Sequence, residues 1–313
     1  MGYYWPEGTL LETEENAYYL QNEETLRCAM RIGQILEGRA LLCDYNHNLI
    51  VDLGCCRGVI PREEGALGIR EQTVRDIAII SRVNKPVAFL VTAVEYDESG
   101  ALRPVLSRRA AQLRCRTEYI ERLTPGEIIP ARVTHLENFG CFVDIGCGLP
   151  SLISIDQISV SRISHPRDRF AVGESIYAVV KEVEPEGRVQ LTHKELLGTW
   201  MENASRFAPG ETVRGIVRSI KEYGSFIELA PNLSGLADAR EGLNTGDAVS
   251  VYIKSIRPDR MKVKLQIIEK LPPPNYPDPI HYQITDGVLA HWVYSPPGCE
   301  KPIIETDFTV PVP

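Results

Sequence analysis

Two aromatic pairs in the sequence have the residue types and the spacing of a stacking surface. The first pair is Phe139 and Phe142, the second is Tyr223 and Phe226, and a glycine directly follows the first ring of each pair. Aromatic rings offer flat faces on which planar groups such as nucleic-acid bases can stack. An aromatic side chain on the polar face of a strand is therefore either packed under another part of the protein or a platform for a ligand.

The residues around the first pair alternate in the manner of a half-buried β-strand. Phe142, Asp144 and Gly146 share one face, and the opposite face suits a core because it carries Cys141, Val143 and Ile145. A phenylalanine beside a carboxylate predicts a solvated outer face. Asp144, and Glu228 beside the second pair, would repel phosphate and favour weak rather than tight binding.

The pattern around the aromatic pairs is repeated along the chain. One copy begins at Pro125-Gly126-Glu127 and another at Pro209-Gly210-Glu211, and each closes with a strand of alternating polar and apolar residues, at 188–191 and 262–265. A degenerate first copy covers 37–110. Five short strands in about 70 residues are typical of a closed Greek-key barrel.

The elements that position the aromatic pairs are thus predicted to be three tandem five-stranded barrels in an all-β protein. Short helical linkers join them, because 109–123 and 194–207 carry apolar residues at helical spacing. Asn22 is the predicted N-cap of an N-terminal helix that runs to about Glu37. The predicted parts are an arm and helix at 1–36, barrels at 37–110, 125–194 and 209–271, and a proline- and aromatic-rich tail at 272–313. The tail has no predicted fold, although a hairpin added to the third barrel is one option.

Composition restricts the classes of function. The net charge of −8 argues against a strongly charge-driven nucleic-acid binder, and the acidity lies in the two ends and the middle repeat. No apolar run is long enough for a membrane span, which predicts a cytoplasmic protein without membrane contact. The eight cysteines form no CxxC pair, and no catalytic constellation is present, so we expect neither an enzyme nor a metal site nor a cofactor.

At these repeats the chain resembles the S1 RNA-binding domain, the oligonucleotide-binding (OB) barrel of ribosomal protein S1 and of many RNA-processing proteins. The resemblance is strong over 125–200, good over 209–268 and weaker over 37–110. It implies that single-stranded RNA binds on the face of the second and third strands of a barrel. The usual contacts of the family are two aromatic residues, a histidine, and an acid and a base near the last turn.

These family contacts carry over to two of the three repeats. In the middle repeat they are Phe139, Phe142, Glu184 and Arg188, with Ser154 at the histidine position. In the third repeat they are Tyr223, Phe226 and Lys262, with Asp238 at the histidine position and Arg257 at the acid position. Strand alternation predicts that Lys264 points outward beside Lys262. The serine and the aspartate each replace a histidine, so each departs from the family pattern.

The first repeat lacks the family contacts. His47 and Ile50 stand where the other copies have aromatic residues, and Pro61 takes the histidine position. We therefore assign no RNA contact to this repeat and expect it to be structural or to contact protein.

The sequence predicts a single-stranded RNA-binding protein, for mRNA or similar RNA, that acts in translation or RNA metabolism. The alternative is a scaffold that docks on the ribosome or on an RNA-processing complex without strong RNA binding, which the net charge of −8 and the altered first repeat favour. The RNA sequence preference, the pathway and the protein partners stay open.

Overall fold

The computed structural model describes residues 4–184, 187–272 and 279–309. Its strands form three closed five-stranded barrels and one two-stranded sheet. The predicted all-β class with tandem OB barrels is therefore confirmed. Residues 1–3 of the predicted arm, 185–186 of the middle repeat, and 273–278 and 310–313 of the tail lie outside the described residues.

The chain separates into two compact units. The first holds the residues up to Leu123 together with Pro130–Arg132 and Asp144–Ser151, and the second holds the remainder. In the part of the chain that the structure describes, no helix has both the length and the apolar character to cross a bilayer.

The first barrel follows two short helices, α1 (Glu14–Tyr19) and α2 (Glu23–Ile32). Its strands are β1 (Leu36–Cys43), β2 (Leu49–Asp52), β3 (Arg57–Ile60), β4 (Pro86–Tyr96) and β5 (Leu102–Ser107), and helix α3 (Ile77–Ile80) lies between β3 and β4. Around the barrel the strand order is β1-β2-β3-β5-β4. Aliphatic residues and Phe89 fill its interior, since the inward residues of each strand are apolar.

Helix α2 begins where the sequence predicts and ends earlier. The side chain of Asn22 accepts a hydrogen bond from the backbone N–H of Thr25 at 3.1 Å, which makes it the N-cap. The helix stops at Ile32, not near Glu37, because Gly33 adopts the left-handed conformation with φ of 67°. Glu37 instead belongs to strand β1.

The middle barrel follows the connecting helix α4 (Arg108–Glu118). Its strands are β6 (Ile128–Glu137), β7 (Gly140–Asp144), β8 (Pro150–Ser154), β9 (Ser175–Val183) and β10 (Val189–Thr192), with helix α5 (Ile155–Ile158) after β8. The strand order is β10-β8-β7-β6-β9. Cys141, Val143 and Ile145 are buried, as the alternation predicts.

The third barrel follows helix α6 (Trp200–Ala204). Its strands are β11 (Thr212–Lys221), β12 (Gly224–Ala230), β13 (Leu233–Ala237), β14 (Ala248–Arg257) and β15 (Lys262–Lys270), in the order β11-β12-β13-β15-β14. In the described residues of the tail, 272 and 279–309, no strand joins this barrel. Its strands β16 (His291–Val293) and β17 (Glu305–Asp307) form a separate sheet, and Trp292 and Tyr294 pack into the core cluster of the third barrel.

Candidate nucleic-acid interface

The two predicted aromatic pairs have nearly the same geometry in the middle and third barrels. The ring centroids of Phe139 and Phe142 lie 5.9 Å apart with planes at 89°, and those of Tyr223 and Phe226 lie 6.3 Å apart at 87°. The outer ring of each pair is open, with 55% of Phe139 and 67% of Tyr223 exposed. Each pair therefore presents one open ring held edge-to-face against a half-buried ring.

The glycine within each pair lets strand β7 or β12 approach its neighbour closely. A Cβ atom on Gly140 would lie 2.5 Å from the carbonyl oxygen of Ile153, a distance that real Cβ atoms do not tolerate. A Cβ atom on Gly224 would meet the carbonyl oxygen of Ala237 in the same way. The glycines thus hold each aromatic pair against the following strand, β8 or β13, where the histidine positions lie.

One row of the third barrel combines an aromatic ring with a cation. Phe226 pairs in register with Leu236 of β13, and Leu236 pairs with Lys264 of β15. Paired residues project to the same side of a sheet, and the adjacent Ile227 and Leu265 are buried in the barrel. Phe226, Leu236 and Lys264 therefore share the outer face, as the alternation predicts for Lys264.

The middle barrel has the same row with a neutral residue at its end. Gln190 of β10 pairs in register with Leu152 of β8, so it takes the place that Lys264 has in the third barrel. The side-chain amide of Gln190 donates to the carboxylate of Glu184 at 2.8 Å. Arg188 is exposed at the same turn, where its carbonyl accepts from the backbone N–H of Glu184 at 2.8 Å. Glu184 and Arg188 thus lie together at the end of the last hairpin.

The histidine positions lie beside the ring pairs. Ser154 ends strand β8, and the next backbone N–H, that of Ile155, donates to the carbonyl of Phe139 at 2.9 Å. Asp238 directly follows Ala237, which pairs with Ser225 of the aromatic strand β12. Its carboxylate lies 3.6 Å from the ammonium group of Lys254, so a cation accompanies this acid.

Lys262 is the first residue of strand β15. It is exposed two residues before Lys264 and faces Arg257 in register. The guanidinium of Arg257 donates to the carboxylate of Asp259 through Nε at 3.1 Å and Nη2 at 2.9 Å. The position that holds an acid in the family pattern therefore holds a cation paired with its own aspartate.

Comparison with known proteins relates the chain to S1-domain proteins. Residues 122–194 match the family model of the S1 RNA binding domain. A small ribosomal subunit protein bS1 of Leuconostoc lactis is 31% identical over 246 residues, which cover 72% of this chain and 54% of that protein. The chain is a tandem S1-domain protein.

Two further relatives extend the similarity along the chain. The bS1 protein of Staphylococcus epidermidis is 28% identical over 286 residues, covering 85% of this chain and 67% of its own length. A bS1 homolog of Bacillus subtilis is 28% identical over 254 residues, covering 75% of this chain and 64% of its own length. The chain thus spans between about half and two thirds of the length of these relatives.

The expectation that Asp144 and Glu228 act as solvated negative charges is wrong. Glu228 of the third S1 barrel is 6% exposed, and its carboxylate accepts from Arg169 at 2.6 Å and from Arg218. These two cations neutralise it, so it does not repel a phosphate as a free carboxylate would.

Asp144 is also buried. Its carboxylate accepts backbone N–H bonds from Glu7 at 2.7 Å, Gly146 at 2.8 Å and Gly148 at 3.0 Å. Burial, with the nearby Glu7 carboxylate, raises the pKa of Asp144. It therefore serves the turn after β7, not the outer surface.

His135 joins the aromatic pair of the middle S1 barrel and is missing from the predicted contacts. Its ring centroid lies 6.4 Å from that of Phe142, and its Nε2 lies 2.7 Å from a carboxylate oxygen of Glu137. The repeat contains a signal for it, because the same offset that aligns Phe139 with Tyr223 aligns His135 with Ser219. Ser219 pairs in register with Phe226, so His135 is the matching cross-strand neighbour.

Proposed function

We propose that this tandem S1-domain protein binds single-stranded RNA through the outer faces of its middle and third barrels, and that it acts in translation or RNA metabolism in the cytoplasm. The proposed contacts are Phe139, Phe142, Ser154, Glu184, Arg188, Tyr223, Phe226, Asp238, Lys262 and Lys264. The observation that carries the proposal is the repeated edge-to-face ring pair with its open outer ring.

The chemistry of these faces suits single strands. A base can stack on an open ring whatever its identity, and each such stack contributes roughly 1–3 kcal/mol. Duplex bases are already stacked on each other, so the faces would favour unpaired RNA. His135 adds a third ring beside Phe142. This ring supplies part of the stacking surface that is lost because Ser154 stands at the histidine position.

Charge adds to stacking mainly on the third barrel. Lys264 lies in the same row as Phe226, whereas the middle barrel has Gln190 at that place. Lys262 and Lys264 are exposed on one face of β15 and can attract phosphates. We infer that the third barrel supplies more of the salt-dependent part of the affinity. Two modest sites on one chain reach higher affinity together, because the second binding event is intramolecular.

The experiment that tests the proposal is a fluorescence-anisotropy titration of labelled oligouridine at about 50 mM and about 200 mM salt. Binding should weaken with salt, and Lys264→Gln should lower the slope of log K against log salt by about 0.7, the value for one phosphate on a single strand. Lys301→Gln, an exposed lysine of the tail, is the matched control.

The second candidate function is a protein-docking scaffold, which the net charge of −8 favours. It predicts no binding of oligouridine at the lower salt concentration. It also predicts that Lys264→Gln and the wild-type protein behave alike. Either result would refute RNA binding by these faces.

A further inference from the structure

The first barrel carries a continuous aliphatic row where the other barrels carry their candidate contacts. Leu42 of β1 pairs with Ile50 of β2, Ile50 with Val59 of β3, and Val59 with Val105 of β5. In the third barrel the corresponding row is Ser219, Phe226, Leu236 and Lys264. The ring and the lysine of that row are thus both replaced by aliphatic side chains.

This aliphatic row faces outward. Its members are exposed or half-buried, whereas their neighbours along the strands, Leu49, Val51, Ile60 and Leu106, are fully buried in the barrel. Alternation along a strand therefore assigns the row to the outer surface. Four adjacent aliphatic side chains on a surface strip are a feature of interaction sites.

The first barrel exposes further apolar side chains in the turn that joins the first two strands of the row and in helix α3. Tyr45, in the turn between β1 and β2, is 91% exposed. His47 of the same turn lies 3.3 Å from the carboxylate of Asp76, which brings the start of helix α3 beside the turn. Ile77 and Ile80 of that helix are exposed as well. The turn after β1 and the helix beside it thus add further exposed apolar side chains to the first barrel.

The edge of the row is acidic. A cleft of about 540 Å³ is lined by Val59 and Val105 of the row together with Glu95, Asp97, Glu98 and Arg103. Three carboxylates against one guanidinium leave an excess of negative charge. Backbone N–H groups of Ser99 and Ala101 donate to Asp97 at 2.9 and 3.0 Å, so the turn that carries the acids is well ordered by its own bonds.

We propose that this face of the first barrel, namely Leu42, Ile50, Val59 and Val105 with the acidic turn at 95–98, docks a protein segment that carries aliphatic and basic side chains. The aliphatic row removes apolar surface of such a segment from water, and the acids pair with its lysines or arginines. RNA is a poor occupant because the acidic turn repels phosphate, and the hydroxyl of Tyr96, the ring that lines the cleft, already donates to the carboxylate of Glu23 at 2.7 Å.

The test uses the full chain with ¹³C-labelled isoleucine, leucine and valine methyl groups, since every member of the row carries one. The probe is a synthetic peptide of alternating isoleucine and lysine, and its twin has glutamate in place of lysine. We expect the lysine peptide to shift the methyl signals of Ile50, Val59 and Val105. We expect the glutamate peptide to bind at least tenfold more weakly.

Two variants separate docking from loss of fold. Ile50→Lys should lower the affinity for the lysine peptide at least tenfold. Ile268→Lys, the same change at an exposed isoleucine of β15, should leave this affinity unchanged. Glu95→Lys should weaken the lysine peptide and leave all buried methyl signals in place. Retention of these signals shows that the barrel is folded in each variant.

Several outcomes would overturn the proposal. They are equal binding of the two peptides, absence of binding, or shifts confined to another barrel. If oligouridine shifts the methyl signals of the row and Ile50→Lys abolishes these shifts, the face binds RNA. If sedimentation shows a dimer that Ile50→Lys dissociates, the face binds a second copy of the chain. RNA binding by the other two barrels is measured separately, so failure of one proposal leaves the other standing.

Discussion

Glu228 forms a buried ionic cluster whose disruption should cost the third barrel much of its stability. The side chain of Glu228 is 6% exposed, and those of its partners Arg169 and Arg218 are 5% and 11% exposed. Replacement by alanine leaves two cations in a largely dry environment. Removal of one partner of a buried ion pair typically destabilises a protein by about 3–5 kcal/mol.

The structure places the expected loss at the lower end of that range. Arg218 keeps the carboxylate of Asp168 at 3.4 Å, and Arg169 keeps the hydroxyl of Ser159 at 3.4 Å. We therefore expect Glu228→Ala to lower the free energy of unfolding by about 3 kcal/mol. Glu228→Gln retains an acceptor for the guanidinium groups and should cost less than the alanine variant.

Urea denaturation followed by tryptophan fluorescence measures this loss. Trp200 and Trp292 are buried in the core cluster of the third barrel, so their emission reports its unfolding. Glu269→Ala, an exposed carboxylate on β15, is the matched control and should change the free energy of unfolding by less than about 0.5 kcal/mol. A loss for Glu228→Ala that is no larger than that of this control would refute the reasoning.

Two further predictions concern pH. Burial lowers the pKa of His193 to about 4. Between about pH 6.5 and pH 4 this histidine is therefore protonated in the unfolded state and neutral in the folded state. Its contribution to the free energy of unfolding should fall by roughly 1.4 kcal/mol for each unit by which the pH falls. Glu37 contributes a slope of opposite sign over nearly the same pH range, so the test is the difference in unfolding free energy between the wild-type protein and His193→Gln, measured in urea at several pH values. This difference should grow as the pH rises from about 4 to about 6.5, and a difference that does not change with pH would contradict the assignment. Burial, together with the Glu7 and Asp144 carboxylates, raises the pKa of Glu37 to about 7. Between about pH 4.5 and pH 7 this carboxyl group is therefore protonated in the folded state and ionised in the unfolded state. The free energy of unfolding should fall as the pH rises through that window. Glu37→Gln should make this fall smaller in a urea series followed by circular dichroism, and Asp144, whose pKa burial also raises, accounts for the fall that stays. A fall as steep as in the wild-type protein would show that Glu37 is not responsible.

The sequence predicts the barrels well because their strands depend on local alternation. Val143 and Ile227 lie inside their barrels, while Phe142 and Phe226 lie outside, as period-two patterning requires. The recurrence of the aromatic pair after a fixed offset also predicts that both pairs have one geometry. These features depend on residues a few positions apart.

The features that the sequence does not predict depend on distant partners. The residues near Glu228 in the sequence do not indicate that Arg169, far away in the chain, neutralises it. The sequence likewise does not show that Glu7 lies beside Asp144, so it predicts a solvated carboxylate there. His135 enters the aromatic surface only through a cross-strand contact. The early end of α2 follows from the left-handed conformation of Gly33, a glycine that lies within the predicted helix.

The central claim is that the ring pairs of the middle and third barrels bind single-stranded RNA, and removal of one ring from each pair tests it most directly. Oligouridine affinity should be measured for Phe139→Ala, Tyr223→Ala and the double variant, which remove the open rings, with Tyr18→Ala, an exposed aromatic residue of α1, as the control. Loss of roughly 1–3 kcal/mol per ring predicts an affinity about 5- to 150-fold lower for each single variant and lower still for the double variant. Double-variant affinity equal to that of the wild-type protein and of Tyr18→Ala would contradict the account.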